Sequence, residues 1–388
     1  MLSRLAVTRR HLILAGAGHA QLDLLALLAR RPLDGWQVSL VTPQPAFHYS
    51  GMLPAIVAGA AAPDAAQIPV AAIARAAGMR VYDDAVTALD AMTRTITLRS
   101  GAVVPFDLLS LDVGSGPAGP APPGVAEHAF AMRPFASALG LIAAIERVLT
   151  VASRGARVPA VVIGAGAAGV EIACAIRARI VNAQRVPLVT IIDEAARDGL
   201  PLPGFASASR RMAGRALAAR GIALVAGAVT EVRADAVLTD AAEHREMPSV
   251  ATAWVAGSGP HPWLASGGLA CDARGYPLAA PTLALNADAT IFGGGDCITL
   301  RDAPETPKAG VYAVRMARVL AANVRAAADG QPRLARYTPQ ASFLALLSLS
   351  DGAALLSWRW LTLESRWAQR LKSRIDERYL RRYRALPV

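Results

Sequence analysis

The sequence predicts an α/β fold made of two parallel-sheet domains, and three observations carry that prediction. A chain of 388 residues exceeds the size of one ordinary hydrophobic core. A content of 54% hydrophobic and 18% charged residues is typical of a compact globular protein and excludes a disordered one. Two apolar runs, at residues 11–15 and 160–163, each lead into a glycine turn followed by a helix-forming stretch.

The first run, "HLILAGAGHAQ", has two interpretations. Arg9 and Arg10 precede it in twin-arginine style, so it resembles the core of an export signal. It also reads as the first strand and phosphate turn of a nucleotide-binding domain. The same residues begin a complete strand, turn, helix and strand that ends near Thr42. Because a signal peptide explains only the first half of this unit, we favour the nucleotide-binding interpretation.

The second run, "AVVIGAGAAGVEIACAI", contains the fuller glycine motif, with Gly164, Gly166 and Gly169 in Gly-x-Gly-x-x-Gly spacing. The first glycine makes a tight turn, the second lets a pyrophosphate approach the backbone, and the third allows close packing of helix on strand. The N-terminus of the following helix presents free amides to the phosphates. One such motif is weak evidence, whereas two copies in the same context are much less expected by chance.

The two copies differ where the next strand ends. "VPLVTIID" ends in Asp193, whose carboxylate is suited to the ribose hydroxyls of NADH, although Arg197 nearby leaves NADPH open. The corresponding strand of the first copy ends in Thr42 instead of an acid. The first copy keeps Gly16 and Gly18, but Gln21 replaces the third glycine, and we expect Ala20 to supply the small side chain there.

The remaining segments suggest the domain boundaries. We expect a first domain over residues 1–120, a second over 121–270, a return to the first over 271–330 and a separate C-terminal region over 331–388. "GPAGPAPPG" at 116–124 is predicted to be a linker, and a long helix is expected from Phe135. "MRVYDDAVTALDAMTRTITLRSGAVVPFDLLSLDVGS" indicates a β-meander, and "SFLALLSLSDGAALLSWRW" a hairpin that turns at Asp351-Gly352.

Charge and cysteine content limit the class of protein. The net charge is +11, and residues 359–388 contribute +6 of it. Cys174, Cys271 and Cys297 are far apart, which argues against a disulfide framework and fits a reducing cytoplasm. We expect no transmembrane helix and no metal site, because no stretch has the length or the ligand spacing required.

Six stretches together resemble one family of flavoproteins. They are "GAGHAQ", "FHYSGMLPAIVAG", "FDLLSLDVGS", "GAGAAGVE", "IFGGGDC" and "PKAGVYAVRMARVLAANV". The chain is similar to the pyridine nucleotide-disulfide oxidoreductase superfamily and, within it, to type II NADH dehydrogenases, especially those associated with selenide, water dikinase. The resemblance implies two Rossmann-like FAD/NAD(P)-binding domains of the three-layer ββα type, with a C-terminal hairpin and amphipathic helix. FAD is expected at the first unit and NAD(P)H, with NADH favoured, at the second.

The resemblance also implies roles for individual residues. Asp296 is expected to bind the flavin ribityl chain, and Ala309 and Gly310 to face the isoalloxazine at a helix N-terminus. Pro54 and its neighbours are expected to lie across the flavin ring. Motifs and resemblance together assign cofactor binding to Gly16, Gly18, His19, Ala20, Thr42, Pro54, Val86, Gly114, Ser115, Gly164, Gly166, Gly169, Asp193, Gly257, Gly295, Asp296, Ala309 and Gly310. Catalytic roles are assigned to Glu171, which matches a family position that points toward the nicotinamide and the flavin, and to Lys308 near the start of the helix that faces the isoalloxazine. The alternatives are a solvated glutamate and a solvated lysine.

The C-terminal segment bears on the electron acceptor. Read as a helix, it carries an apolar stripe of Leu363, Trp367, Leu371 and Ile375 beside a row of arginines. Such a helix suits an anionic membrane surface, on the inner face of the cell membrane. The alternative for residues 360–388 is a helix that forms a homodimer contact or docks on the core and keeps its basic face in solvent. We expect no nucleic-acid partner, because nothing else in the chain resembles a motif that recognises nucleic-acid bases.

The preferred function is an FAD-dependent NADH dehydrogenase with a quinone-like acceptor. Two alternatives stay open at this point. One is a soluble flavin reductase for a protein electron carrier or a selenium-related partner. The other is a flavin- or nucleotide-binding regulator without turnover, for which the modified first motif and Thr42 argue.

Overall fold

The computed structural model describes residues 9–116, 119–196 and 198–388. The elements of residues 9–116 are β1 Arg10–Ala15, α1 Leu22–Arg30, β2 Trp36–Val41, β3 Phe47–His48, α2 Leu53–Val57, β4 Gln67–Ile68, α3 Val70–Ala76, β5 Arg80–Tyr82, β6 Val86–Asp90, β7 Thr95–Leu98, β8 Val103–Pro105 and β9 Leu108–Leu111.

The next segment contains the second glycine motif. Its elements are α4 Val125–His128, β10 Ala129–Ala131, α5 Phe135–Val151, β11 Arg157–Ile163, α6 Ala167–Asn182, β12 Val186–Asp193, α7 Ser207–Ala219, β13 Ala223–Ala226, β14 Val229–Val232, β15 Ala236–Thr239, β16 Glu246–Pro248 and β17 Thr252–Trp254. The long helix expected from Phe135 is confirmed as α5.

The last segment runs to the end of the chain. Its elements are α8 Pro262–Ala265, β18 Leu278–Ala279, β19 Ile291–Gly293, β20 Thr299–Leu300, α9 Gly310–Ala328, β21 Ala345–Ser348, β22 Ala354–Trp358, β23 Leu361–Ser365 and α10 Arg366–Arg384.

The first parallel sheet has the strand order β19-β9-β1-β2-β5 in the described part of the chain. Leu12, Ile13, Leu14 and Ala15 of β1 are fully buried, which is typical of a parallel strand covered on both faces. The leading apolar run is therefore a central strand, as the nucleotide-binding interpretation predicts. β19, from beyond the second domain, pairs with β9.

The second parallel sheet repeats this arrangement with the order β10-β17-β11-β12-β13 among the described strands. Each domain also carries an antiparallel meander, β6-β7-β8 in the first and β14-β15-β16 in the second. Both meanders are inserted just before a strand that returns to the parallel sheet, β9 or β17. Two α/β domains of the predicted ββα type are thus confirmed.

The C-terminal region is a three-stranded antiparallel sheet, β21-β22-β23, followed by α10. The hairpin predicted around Asp351-Gly352 is confirmed, since Ser348 pairs with Ala354 across it. The third strand was not expected: Leu363 pairs with Leu356 inside β23, and the helix begins only at Arg366. The prediction of a helix already at Leu363 is therefore wrong.

Helix α10 also turns a different face to the protein than the apolar stripe suggests. Its buried residues are Ala368, Lys372, Asp376, Leu380 and Tyr383. Trp367 and Ile375 of the predicted stripe are 58% and 44% exposed. Trp358, the last residue of β22, and Trp360, in the β22–β23 turn, are exposed as well. The helix thus packs against the protein through a face of both polar and apolar residues, and its tryptophan and arginine side chains are exposed.

Contacts with the first domain hold the docked face. The Tyr383 hydroxyl donates to Asp23 Oδ1 of α1 at 2.7 Å, and Arg382 pairs with the same oxygen at 2.8 Å. Leu380, Tyr383 and Leu386 belong to the first domain's hydrophobic core. Among the helices of the described ranges, none has the combined length and apolar character needed to cross a bilayer.

We predict that Tyr383→Ala lowers the free energy of unfolding by about 3–5 kcal/mol, because it removes a fully buried aromatic side chain from that core. Guanidinium unfolding followed by circular dichroism measures the change. Trp367→Ala, on the exposed side of the same helix, is the matched control and should stay within about 0.5 kcal/mol of the wild type. Equal destabilisation by both variants would contradict the docking described here.

Candidate functional site

A cleft of about 330 Å³ lies at the carboxyl edge of the first sheet, where parallel sheets commonly bind ligands. It is lined by the first glycine turn, the end of β2, the loop after β9, the turn after β19, the start of α9 and residues 132–135 of the second domain. The predicted cofactor residues in its lining are Gly16, Gly18, His19, Thr42, Val86, Gly114, Gly295, Asp296 and Gly310. The fold thus brings together predicted residues that are far apart in the sequence.

Steric constraints explain the first two glycines of the turn. Gly16 has a φ of +88°, and a Cβ there would lie 2.1 Å from the Asp112 carbonyl oxygen. A Cβ on Gly18 would lie 2.5 Å from the Asp112 side chain. The turn can therefore pass the loop after β9 only without side chains at both positions.

Gln21, in place of the third glycine, ties the turn to the sheet. Its Nε2 donates to the Gly16 carbonyl at 2.9 Å, and its Oε1 accepts from Ser110 Oγ at 2.5 Å. Ala20 is fully buried, and its Cβ lies 2.8 Å from where a Cβ on Gly294 would stand. The close approach that a third glycine usually permits is obtained here from Gly294 on the facing loop.

Other predicted residues of the first domain lie around this turn. Thr42 is buried at the end of β2, and its hydroxyl donates to the Gln44 carbonyl at 3.0 Å. Ser115 follows Gly114 in the loop after β9 but lies outside the cleft lining. Pro54 lines a different cavity, described below.

Asp296 enters the cleft from the short helical turn after β19. Its Oδ2 lies 3.3 Å from Nη1 of Arg133, which belongs to the second domain's segment beside α5. The adjacent Cys297 is fully buried, and burial raises the pKa of its thiol to about 12, as expected for a core residue. A carboxylate and a guanidinium therefore meet at the junction of the two domains.

The positive end of α9 also faces the cleft. Ala309 is the residue before the helix, and Gly310 begins it and lines the cleft. His19 Nε2 lies 3.6 Å from where a Cβ on Gly310 would stand. Burial, aided by Arg133, lowers the pKa of His19 to about 3. A neutral imidazole and a helix N-terminus, which favours negative charge, thus lie side by side.

Lys308 does not line the cleft. Its ammonium group contacts the Ile298 carbonyl, donates to Thr299 Oγ1 at 3.0 Å and lies 4.2 Å from the centre of the Tyr276 ring. Burial lowers its pKa. These contacts fasten the loop before α9 to β20; the catalytic role of Lys308 stays a prediction.

The second glycine turn has the geometry that its motif requires. Gly164 has a φ of +112°, and a Cβ on Gly169 would lie 1.8 Å from the Gly164 carbonyl oxygen. A Cβ on Gly166 would meet no atom within 4 Å, which leaves this position open for a ligand. Gly257, after β17, has a positive φ of +68°.

Asp193, at the end of β12, is bonded to this turn. Its Oδ2 accepts from the Ala165 amide at 2.6 Å, and its Oδ1 accepts from the Ala195 amide at 2.8 Å. Each oxygen keeps a further lone pair for a ribose hydroxyl. Arg197, on which the choice of NADPH depends, lies outside the described residues.

The segment Tyr49 to Pro54 forms a wall between two cavities. Ser50 and Leu53 line the cleft, whereas Gly51, Met52 and Pro54 line a second cavity of about 750 Å³. Ser50 and Leu53 thus border the cleft in which the sequence predicts the flavin, whereas Pro54 does not. A contact of this segment with a flavin stays a prediction. The other face of the segment looks toward α10.

The second cavity is lined by apolar and polar residues and borders a buried polar network. Lys372 Nζ donates to the Gly51 carbonyl at 2.8 Å and to Asp376 Oδ2 at 2.9 Å, and it lies 4.0 Å from Glu171 Oε1. The Tyr49 hydroxyl donates to the other Asp376 oxygen at 2.9 Å. Glu171 also accepts from the Ser348 amide at 2.8 Å. Glu171 is therefore neither solvated nor aimed at the cleft.

Burial and charge shift the pKa values of this network. Burial raises the pKa of Glu171 to about 7, against the opposing effect of Lys372. Burial alone would lower the pKa of Lys372, but Glu171 and Asp376 outweigh it and the net shift is upward. Lys372 is thus held as a cation, while Glu171 can gain or lose a proton near neutral pH.

Sequence reasoning missed Asp112, Arg133, Lys372 and Asp376. Asp112 had a visible signal, since an acid stands inside "LSLDVGS", a stretch otherwise of apolar and small residues. Lys372 is one of two lysines in an arginine-rich chain. Within the described ranges, no three His, Cys, Asp or Glu side chains come together as metal ligands would.

Comparisons with known proteins agree with this architecture. The sequence profile of the pyridine nucleotide-disulphide oxidoreductase family matches residues 10–319. NADH dehydrogenase-like proteins from two strains of Mycobacterium tuberculosis are 34% identical over 116 residues, which cover 30% of this chain and 29% of theirs. The match therefore spans less than a third of these relatives' length.

Solved structures are similar over nearly the whole chain. The sulfide:quinone oxidoreductase of Aquifex aeolicus has a TM-score of 0.77 at 18% identity, covering 97% of this chain and 91% of that one. NDH2 of Plasmodium falciparum in complex with NADH has a TM-score of 0.76 at 12% identity, covering 98% and 100%. At such identities the likeness is one of fold.

We predict that Gly169→Ala lowers the free energy of unfolding by about 1–3 kcal/mol, because its Cβ meets backbone in the contact of α6 with the turn. Gly166→Ala enters open space, so it should leave stability within about 0.5 kcal/mol of the wild type and weaken NADH binding instead. Guanidinium unfolding and calorimetric NADH titration separate the two effects. Weaker NADH binding without destabilisation in Gly169→Ala would contradict this assignment.

Proposed function

This chain belongs to the pyridine nucleotide-disulphide oxidoreductase family, and from that premise we propose that it is an FAD-dependent NADH dehydrogenase that reduces a quinone-like acceptor. The observation that carries the proposal is the pair of cavities on the two faces of residues 49–54. One is suited to a flavin next to the second domain, and the other to a small acceptor. Electrons would then pass between them across a single layer of protein.

The residues of the cleft fit FAD. Gly16 and Gly18 carry no side chains in the turn before α1, which suits the close approach of a pyrophosphate to the backbone. Asp296 offers acceptor oxygens to ribityl hydroxyls, and the N-terminus of α9 stabilises negative charge on a reduced ring. FAD, when bound, supplies a ring that accepts a hydride and releases two electrons.

The second glycine turn fits the dinucleotide that donates the hydride. Gly166 leaves room for a pyrophosphate, and Asp193 offers acceptors to ribose hydroxyls while repelling an additional phosphate. This favours NADH over NADPH. The P. falciparum NDH2 structure, which is in complex with NADH, supports the same choice.

The second cavity fits a quinone-like acceptor. Met52, Pro54 and Leu380 provide apolar walls for a ring, and Lys372 lies among its lining residues. Reduction of a quinone takes up protons, and Glu171, with its pKa near 7, holds one beside Lys372. In this proposal Glu171 acts on the acceptor side, not at the nicotinamide.

The exposed side chains of the C-terminal region fit attachment to an anionic membrane surface. The exposed tryptophans are Trp358 at the end of β22, Trp360 in the β22–β23 turn and Trp367 at the start of α10. Exposed arginines flank them along α10, at Arg366, Arg370, Arg374, Arg378 and Arg381. Tryptophan and arginine are the residues that hold peripheral proteins at the lipid interface, where a hydrophobic quinone would be available.

The function is tested by separating its two half-reactions under anaerobic conditions. We expect NADH to bleach the bound flavin and a soluble quinone to restore its colour. In Glu171→Gln, bleaching should be unchanged, whereas the return of colour should slow by roughly 10²-fold, because an acid–base group is lost. Stopped-flow absorbance measures both rates.

The pH dependence gives a second readout of the same experiment. The protonated fraction of Glu171 falls as pH rises through about 7, so reoxidation in the wild type should slow above that pH. The variant should show no such decline. A flavin that NADH does not bleach would overturn the proposed function, and slower bleaching in Glu171→Gln would overturn the assignment of Glu171.

We predict that Trp360→Ala combined with Trp367→Ala weakens binding to anionic liposomes at least tenfold while leaving the fold intact, because both side chains are exposed. Met92→Ala, an exposed apolar residue in the β6–β7 turn, is the control and should bind as the wild type does. Cosedimentation with phosphatidylglycerol vesicles measures binding. Point variants are needed, because deleting residues 360–388 would remove core side chains such as Tyr383.

A further inference from the structure

Asp112 lies in the cleft beside the turn that leads into α1. It follows β9 directly and is 3% exposed. Its Oδ2 accepts from the Gln21 amide at 2.9 Å, and the Ala20 amide also hydrogen-bonds to it. A carboxylate of the chain itself thus sits at the positive end of the helix.

Gly18 of the first glycine turn and Gly295 of the turn after β19 together fix the position of the Asp112 carboxylate. A Cβ on Gly18 would lie 2.5 Å from Asp112 Oδ1, and a Cβ on Gly295 would lie 2.6 Å from the same oxygen. Gly18 and Gly295 both line the cleft. The carboxylate is therefore enclosed by backbone from both sides and has little freedom to withdraw.

This position conflicts with a second anion. The N-terminus of the helix after a glycine turn is where a dinucleotide places its pyrophosphate. Two negative charges in one desolvated site repel each other strongly, because little water screens them. The conflict disappears if the carboxyl group is neutral.

The surrounding charges do not fully offset the negative charge of an ionised Asp112. Burial raises the pKa of Asp112 to about 7, and the charge of Asp296 adds to the shift. Arg133 opposes it from the second domain but already pairs with Asp296. The other titratable groups coupled to this region are His19, Cys297 and Tyr379 of α10, which are all neutral near pH 7 because burial lowers the pKa of the first and raises those of the others.

We propose that Asp112 takes up a proton when the pyrophosphate of FAD binds, so that this residue makes FAD affinity depend on pH. In the reaction, one carboxylate, one proton and one FAD combine into a complex that contains the neutral acid. The inference rests on the proposed function to the extent that FAD is the dinucleotide of the first domain.

The sign of the effect follows from this equilibrium. Below about pH 7 the free protein already carries the proton, so affinity is independent of pH. Above that pH each binding event takes up a proton, and the dissociation constant rises by at most about tenfold per pH unit. The same linkage makes the folded state of the free protein lose stability as pH rises from the unfolded value of 3.8 through about 7.

The test dilutes the FAD-bound protein in a series from about pH 6 to about pH 9 and measures released FAD by its fluorescence. In the wild type we expect a dissociation constant that does not change up to about pH 7 and rises above it. Asp112→Asn removes the charge and keeps an acceptor oxygen, so its dissociation constant for FAD should not change with pH. Near pH 9 that constant should be at least about tenfold lower than the wild-type value.

The matched control is Asp107→Asn, at the opposite end of β9, where the carboxylate accepts from the His11 amide outside the cleft. It changes net charge equally and should follow the wild-type curve. Asp112→Ser is a second variant with the same expected flat curve, in case the amide disturbs folding. A wild-type slope retained in Asp112→Asn or Asp112→Ser overturns the inference.

Failure of this inference can be distinguished from failure of the proposed function. FAD bound with no pH dependence overturns the role of Asp112 and leaves the proposed function intact. A chain that binds no FAD even near pH 6 overturns both.

Discussion

The parallel pairing of β19 with β9 is the contact on which the rest of the structure depends. Ile291, Phe292 and Gly293 form the terminal strand of the first sheet and pair with residues 109–111, and the side chains of Ile291 and Phe292 are fully buried. Buried backbone groups need partners, so the chain must return here after completing the second domain. The return brings Gly295, Asp296 and the N-terminus of α9 against the first glycine turn. The cleft is thus a product of strand pairing between the two ends of the first domain.

The two cavities differ in how they handle buried charge. The cleft holds Asp112 and Asp296 against Arg133, so it carries an excess of acid beside two helix N-termini. The second cavity balances Lys372 against Asp376 and Glu171. Removing one member of such a network would leave a desolvated charge unpaired, which is costly in a protein interior. This balance allows α10 to dock through polar residues, while its one tryptophan, Trp367, stays exposed.

The sequence was sufficient for features that depend on neighbouring residues. Both glycine turns, α5, the hairpin at Asp351-Gly352 and the return strand β19 follow from local patterns. The docked face of α10 could not be predicted in the same way. Periodicity assigns Lys372 and Asp376 to solvent, because it cannot register partners at Glu171 and Tyr49 far away in the chain. The position of Asp112 likewise depends on Gly18 and Gly295, which only the folded sheet brings to it.

The wall formed by residues 49–54 has one more consequence. Leu53 and Pro54 are consecutive residues of α2, yet they border different cavities. Arg179 of α6 holds the end of this short helix by donating to the Ile56 carbonyl at 2.8 Å. Since close-packed interiors transmit displacement, a shift of α2 that widens one chamber must narrow the other. The two chambers are mechanically coupled, and neither can be reshaped alone.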